Sequence, residues 1–161
     1  MTSSYTGTTT ASISTGAVLA VTKLANGGSN SSIGASSSAL TNLILPTNST
    51  LRYVGSGDST DRLFTINGTN DGHNATLDAS GSGAISFTNT GSLAYGTTGQ
   101  TRTLFLTGTN TDNNSLAAPL SNNGAGATSV TKNGVGTWVL SGTNTYMGNS
   151  GLRRAVPSPM G

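Results

Sequence analysis

The chain has no cysteine and no glutamate, and few of its residues carry a charge. Without cysteine, neither a disulfide framework nor a thiolate metal site can form. Charged residues make up 7% of the sequence, against roughly 25% in an average globular domain. No segment approaches the ~18 apolar residues of a membrane helix, and the first residues lack the basic and apolar regions of a signal peptide.

The few charges also exclude a nucleic-acid surface. The formal net charge is +2 and the pI is about 9.3. Both values arise from the adjacent pair Arg153 and Arg154, because the remaining basic and acidic residues balance. No basic stripe with interleaved aromatic residues is present, so no nucleic-acid partner is predicted.

Glycine, threonine, serine and asparagine together form more than half of the chain. The apolar residues come in short groups such as Leu43–Leu45, Leu51–Val54 and Leu104–Leu106. An apolar content of 33% is low for one large spherical core but is sufficient for the thin, continuous core of a solenoid. We therefore expect ordered β structure rather than disorder.

The apolar groups predict short strands and no helix, because no apolar period of 3.6 residues occurs. Strands of about five residues joined by short turns give three-sided coils of about twenty residues, hence roughly seven coils from Tyr5 to Tyr146. The polar stretches 25–39 and 110–128 are expected to loop out of the coils. The predicted strands are 8–13, 17–23, 41–45, 51–54, 63–66, 75–77, 84–88, 92–95, 102–106, 129–132 and 136–140.

The segment 130–148 alternates turn, strand and turn, and it ends in the same Tyr-x-Gly with which the chain begins. Strand alternation puts Trp138 and Leu140 on the inward face, and Thr137 and Val139 on the outward face. The motif and core positions are Lys132, Gly134, Gly136, Trp138, Leu140, Gly142, Asn144, Tyr146 and Gly148, with Tyr5 and Gly7 in the first copy.

This sequence pattern resembles the autotransporter passenger-associated repeat, with Trp138 at a position where that family usually has leucine. The resemblance implies an all-β, right-handed parallel β-helix from a secreted or cell-surface bacterial passenger. It implies a non-enzymatic structural role, while an adhesin that binds glycans or surfaces is the alternative and a polysaccharide-cleaving enzyme is a third. The export signal is absent from this sequence, so we interpret the chain as an excised fragment of an extracellular or surface protein.

We predict one solenoid segment over residues 5–150 and a non-repeat tail over 151–161, which contains two prolines and two arginines. The tail is interpreted as a cap, a truncation or a reading-frame scar. Without a cap, a solenoid leaves open strand edges that recruit further strands. The expected partners are therefore copies of the chain stacked head to tail, or other solenoid repeats, with glycans as a further candidate and no membrane insertion.

A second repeat places Gly-Thr-Asn after an apolar flank, at Gly68, Gly108 and Gly142. The separations of these glycines predict copies about two coils apart. Asparagines are expected to stack as amide ladders along the turns.

Candidate catalytic and metal-binding groups are sparse. Asp58 and Asp61, beside Arg62, resemble a turn in which the carboxylates cap backbone amides more than an acid–base pair. The only cluster with conceivable metal ligands is Asn67, Asn70, Asp71 and His73, whose single carboxylate and single imidazole make a poor site, and His73 is expected in an exposed loop. The sequence therefore predicts no catalytic, cofactor-binding or metal-binding residue.

Overall fold

The computed structural model describes residues 2–11 and 16–153. Within these ranges the chain is all-β, apart from one 3₁₀ turn at Leu40–Asn42. The strands are β1 (Thr9–Thr10), β2 (Val18–Val21), β3 (Leu43–Leu45), β4 (Ser49–Tyr53), β5 (Ser56–Thr60), β6 (Thr65–Ile66), β7 (His73–Ala79), β8 (Gly83–Phe87), β9 (Arg102–Thr107), β10 (Asn114–Leu116), β11 (Thr128–Asn133), β12 (Trp138–Leu140) and β13 (Ser150–Arg153).

Every pair of neighbouring strands is parallel, and the strands form three sheets. Their orders are β1-β3-β6, β12-β10-β8-β5 and β13-β11-β9-β7-β4-β2. Consecutive strands thus occupy different sheets, and each strand pairs with a strand of the next turn. The predicted β-solenoid is confirmed, whereas its right-handed winding stays a prediction.

The solenoid has about three turns with a strand or a β-bridge on every face, flanked by turns with fewer strands. In the six-stranded sheet the register pairs Val18 with Thr50, Ser49 with Ala75, His73 with Arg102, Arg102 with Thr128 and Val130 with Ser150. These partners are 32, 26, 29, 26 and 20 residues apart. The predicted seven coils of about twenty residues are therefore not confirmed, because most turns are longer.

Strand alternation builds the core, since every second side chain of a strand points inward. Leu19, Leu51, Leu77 and Leu106 are consecutive register partners and form one inward column of the six-stranded sheet. Leu51, Leu77 and Leu106 are at most 2% exposed. Apolar residues of all three sheets meet in this single core, where Phe87 of β8 packs edge to face against Phe64, which directly precedes β6.

Both stretches predicted to loop out are part of the folded body, so that prediction is wrong. In 25–39, Ile33 is 1% exposed and belongs to the core. In 110–128, β10 pairs with β8 and β12, and Leu120 is fully buried. These polar stretches fold inward because a few apolar side chains anchor them.

The last described strand begins at the predicted boundary between solenoid and tail, residue 150. Strand β13 runs to Arg153 and pairs with β11 from Val130 to Asn133. The sequence pattern hides this strand because it combines serine, glycine and arginine. The rest of the predicted tail, 154–161, lies outside the described residues.

Candidate functional surface

Strand β12 places Trp138, the tryptophan of the sequence motif, against the core. Trp138 and Leu140 pack on the apolar cluster, while Val139 is 40% exposed. The indole Nε1 of Trp138 donates a hydrogen bond of 2.9 Å to the carbonyl oxygen of Thr107 on the preceding turn. Trp138 therefore joins two turns through both packing and a hydrogen bond.

Truncation of this side chain gives a clear test of its placement. We expect Trp138→Ala to lower the free energy of unfolding by about 3 kcal/mol, because the loss of a large apolar side chain leaves a cavity. Val139→Ala on the outward face of the same strand is expected to cost no more than about 0.5 kcal/mol. Urea unfolding followed by circular dichroism measures both, and native Trp emission at the wavelength of exposed indole would contradict the placement.

Lys132 occupies an inward position, as the register partner of Leu106. Its ammonium group donates to the carbonyl oxygens of Asn133 and Gly134 at 2.7 and 3.0 Å. Burial lowers the pKa of Lys132 below its ordinary value. Lys132 thus follows the leucines in this column and turns its charge toward the backbone of the adjacent corner.

The motif glycines lie where one turn touches the backbone of the preceding turn. A Cβ on Gly136, Gly142 or Gly148 would approach backbone atoms of that turn to 2.7, 2.7 and 2.3 Å. Gly134 has a φ of +72°, a conformation that glycine adopts without strain. The spacing of glycines in the motif therefore reflects the stacking of turns.

In both Tyr-x-Gly copies the tyrosine hydroxyl bonds to a hydroxyl group four residues later, but the copies precede strands of different sheets. Tyr5 shares a hydrogen bond with Thr9 at 2.6 Å, and Tyr146 shares one with Ser150 at 2.8 Å. Tyr5 precedes β1 of the three-stranded sheet and is 44% exposed, whereas Tyr146 precedes β13 of the six-stranded sheet and packs on the core. A Cβ on Gly7 would have no atom within 4 Å, so the contacts of the two copies differ.

The Gly-Thr-Asn copies do not mark whole turns. Gly68 follows β6, Gly108 follows β9 and Gly142 follows β12, which belong to three different sheets. The predicted spacing of about two coils is therefore wrong, and the tripeptide marks a corner after a strand. Asn144 acts at its corner by accepting the backbone N–H of Leu120 at 2.9 Å.

Asparagine side chains connect successive turns mainly through the backbone. The amide of Asn114 is buried, accepts the N–H of Ile85 and donates to the carbonyl of Thr137, so it spans three turns. One direct amide pair between turns joins Asn74 to Asn48 at 2.7 Å. The sequence predicted amide ladders between asparagines. In the structure most asparagine amides instead bond to the backbone of a neighbouring turn, because each corner exposes unpaired N–H and C=O groups.

The aspartates that invited a catalytic interpretation bind backbone amides. Asp58 lies on β5, not in the predicted turn, and its Oδ2 accepts the N–H groups of Leu24 and Ala25 at 2.8 and 3.1 Å. Asp61 accepts the N–H of Gly27 at 2.7 Å. Both carboxylates therefore fasten the stretch 25–39 to the solenoid.

The second candidate cluster is also engaged in local structure. Asp71 accepts the N–H of Thr101 at 2.6 Å, and this bond lowers the pKa of Asp71. His73 is half-buried at the start of β7, so its predicted position in an exposed loop is wrong. Within residues 2–11 and 16–153, no group of three or more histidine or acidic side chains could hold a metal ion.

Two buried arginines hold backbone segments together, and neither was singled out from the sequence. Arg62 and Arg102 are 3% and 1% exposed, and their guanidinium groups bind backbone carbonyl oxygens. Arg62 donates to Ser36 at 2.7 Å and Gly34 at 3.1 Å, which holds the stretch 25–39 in place. Burial lowers the pKa of both guanidinium groups. Strand alternation could have found them, since Arg62 precedes Phe64 and Arg102 precedes Leu104 by two residues.

The outward side of the six-stranded sheet is the largest regular surface. Its central column runs Val18, Thr50, Thr76, Phe105, Thr131 and Gly151. One ion pair of 2.7 Å, between Arg52 and Asp78, lies beside this column. The outward surface is therefore mostly polar and nearly uncharged. Among the described residues, no helix has the length and apolar character to cross a membrane.

Comparison with known proteins identifies a relative. The chain is 50% identical over 138 residues to the protein named Adhesin BmaC autotransporter, from Brucella suis biovar 1 (strain 1330). The alignment covers 86% of this chain but only 4% of the relative's length. No protein-family model and no solved structure matches the sequence. The predicted resemblance is confirmed: the chain is a β-solenoid homologous to part of an autotransporter adhesin, consistent with an autotransporter passenger repeat.

Proposed function

We propose that the chain is a non-enzymatic structural segment of a longer, surface-displayed bacterial passenger, and that its turns stack on further turns of the same kind. The end of the core near β13 carries this proposal. There, a cavity of about 250 Å³ is lined mainly by apolar side chains, including Leu106, Val130, Trp138 and Leu140. An exposed apolar surface of this kind is stabilised when another turn covers it.

The covering turn is proposed to come from a neighbouring solenoid repeat or a second copy of this chain. Among the described strands, β2 and β13 each have a single neighbour in the six-stranded sheet. Edges of parallel sheets present N–H and C=O groups that pair with an added strand. A head-to-tail contact of this type does not close on itself and gives filaments. Right-handed winding is proposed as well, because parallel crossover connections are almost always right-handed.

Sedimentation equilibrium over a hundredfold concentration range tests this stacking. We expect the mass of the purified chain to rise above 16.0 kDa with concentration. Leu140→Asn, which places an amide in the apolar cavity, is expected to suppress the increase, whereas Val139→Asn on the outward face of β12 is not. Circular dichroism confirms that both variants fold. A mass that stays at 16.0 kDa for the unchanged chain over the whole range contradicts stacking.

An adhesin-type role is the second candidate, and the name of the relative favours it. The same relationship supports a location at the bacterial surface or outside the cell. It also supports a non-enzymatic role over polysaccharide cleavage, in agreement with Asp58 and Asp61 being used as backbone anchors. The binding surface for such a role would be expected on the solenoid's regular outward side.

A further inference from the structure

One aromatic residue interrupts the polar column on the outward side of the six-stranded sheet. Phe105 stands between Thr76 and Thr131, at the register position that threonine occupies in β4, β7 and β11. Its side chain is half-buried and makes no aromatic pair with the other described residues. A phenylalanine on an outward column is not needed by the core, so its contact surface is available to a ligand.

Phe105 lies in a groove of about 660 Å³ on this side of the sheet. The groove is lined by Thr103, Phe105, Ser129, Thr131, Asn133, Asn149 and Gly151. Gly151 follows Thr131 in the central column and adds no side chain, which leaves room above the hydroxyl of Thr131. The groove therefore combines one aromatic surface with hydroxyl and amide groups on three neighbouring strands.

The described lining of the groove carries no formal charge. These seven lining residues therefore offer no cation of their own to offset the lost hydration of an acidic or sulfated ligand. The hydroxyl groups of Thr103, Ser129 and Thr131 in the lining can both donate and accept hydrogen bonds. This chemistry matches a ligand that is neutral, rich in hydroxyl groups and partly apolar on one face.

We propose that this groove binds a neutral polysaccharide, with one sugar ring lying on Phe105. The C–H face of a pyranose packs on an aromatic ring, while its hydroxyl groups exchange hydrogen bonds with Thr103 and Thr131. Stacked strands repeat about every 4.8 Å, so the polar groups form parallel rows along which a chain of sugars extends. This binding site goes beyond the proposed stacking role and rests only on the adhesin-type candidate.

Titration of the isotopically labelled chain with oligosaccharides, followed by amide NMR, tests the site. The neutral probes are cellohexaose, maltohexaose and chitohexaose, and a heparin hexasaccharide is the charged comparison. We expect at least one neutral probe to shift amide signals in β9, β11 and β13. Phe105→Thr restores the threonine column and is expected to weaken that binding about tenfold, the value of one aromatic contact.

Gly151→Val provides a second variant that does not depend on the loss of Phe105. A Cβ at Gly151 would lie 3.7 Å from Thr131 Oγ1, an ordinary contact, and the methyl groups of valine are intended to fill the groove. We expect it to weaken binding at least as much, while Thr50→Val, farther along the column, leaves binding unchanged. The proposal is overturned if no neutral probe binds, if only heparin binds, or if Phe105→Thr and Gly151→Val both retain full affinity. Stacking is measured separately by mass, so failure of this site leaves the structural role intact.

Discussion

Replacing Arg102 with methionine is expected to lower the free energy of unfolding by about 3–5 kcal/mol, the range for removing one partner from a buried charged network. Arginine has five N–H donors, and the structure supplies one carbonyl acceptor for each. The acceptors are Tyr95 at 2.7 Å, Asn70 at 2.9 Å, Thr101 at 2.7 Å, Gly68 at 2.7 Å and Thr97 at 3.3 Å. The guanidinium thus joins the corner after β6 to the corner before β9.

The cost arises from the carbonyl groups that the arginine would leave behind. Methionine fills much of the volume of the arginine stem, but it donates no hydrogen bond to the five oxygens. Arg102→Lys is expected to recover only part of the stability, because a compact ammonium cannot reach acceptors spread around a planar guanidinium. Burial lowers the pKa of Arg102 and nearby Asp71 opposes this shift, yet arginine remains protonated at any working pH.

Arg52→Met is the matched control for this measurement. Arg52 lies in the same sheet, but its side chain is 43% exposed and pairs with Asp78 on the outward side. Asp78 is only 8% exposed, but its carboxylate keeps the hydrogen bond that Ser80 donates, so we expect Arg52→Met to lose clearly less stability than Arg102→Met. Urea unfolding of the three variants gives the comparison. Equal losses for Arg52→Met and Arg102→Met would show that the carbonyl cluster around Arg102 contributes little.

The inward position of Arg102 could be predicted from the sequence, whereas its partners could not. In β9, Arg102, Leu104 and Leu106 alternate with outward-facing residues, so the period of two assigns the arginine to the buried side. Its carbonyl acceptors lie up to 34 residues away, at Gly68. Nothing local in the sequence indicates which corners of a solenoid meet, because that depends on the length of each turn.

Strands with an apolar face were predicted more completely than polar ones. The groups around Leu51, Leu77 and Leu104 all lie on observed strands. Strand β5 was missed because its sequence, Ser56–Thr60, contains turn-forming residues and no apolar side chain except the methyl group of Thr60. Its conformation depends on pairing with β8. A strand that is stabilised by its neighbours rather than by its own pattern has no local signal.

Long corners explain why most turns exceed the assumed twenty residues. Short turns were assumed between all strands, but β1 and β3 are separated by more than thirty residues, including the packed stretch 25–39. Asp58, Asp61 and Arg62 together hold this stretch on the solenoid. Single polar side chains that bind distant backbone groups are compatible with almost any sequence context, so composition and period do not reveal them.

Gly108→Ala is expected to lower the free energy of unfolding by about 2–5 kcal/mol, because two separate costs combine. Gly108 has a φ of +122°, where an L side chain is strained by roughly 1–2 kcal/mol. A Cβ there would also lie 2.1 Å from the carbonyl oxygen of Ala79 on the preceding turn. That contact is with backbone, so relief requires the two turns to separate, at a cost comparable to overpacking a core, about 1–3 kcal/mol.

Two other glycines separate these costs. Gly99 has a φ of +85° with nothing within 4 Å of its Cβ position, and Gly7 has neither a positive φ nor a neighbour. We therefore expect Gly99→Ala to lose about 1 kcal/mol and Gly7→Ala to stay within about 0.5 kcal/mol of the unchanged chain. Urea unfolding of the three alanine variants under one set of conditions measures the series. If Gly108→Ala is no less stable than Gly99→Ala, the close approach of successive turns at this corner does not limit the side chain, and the stacking explanation for the motif glycines fails with it.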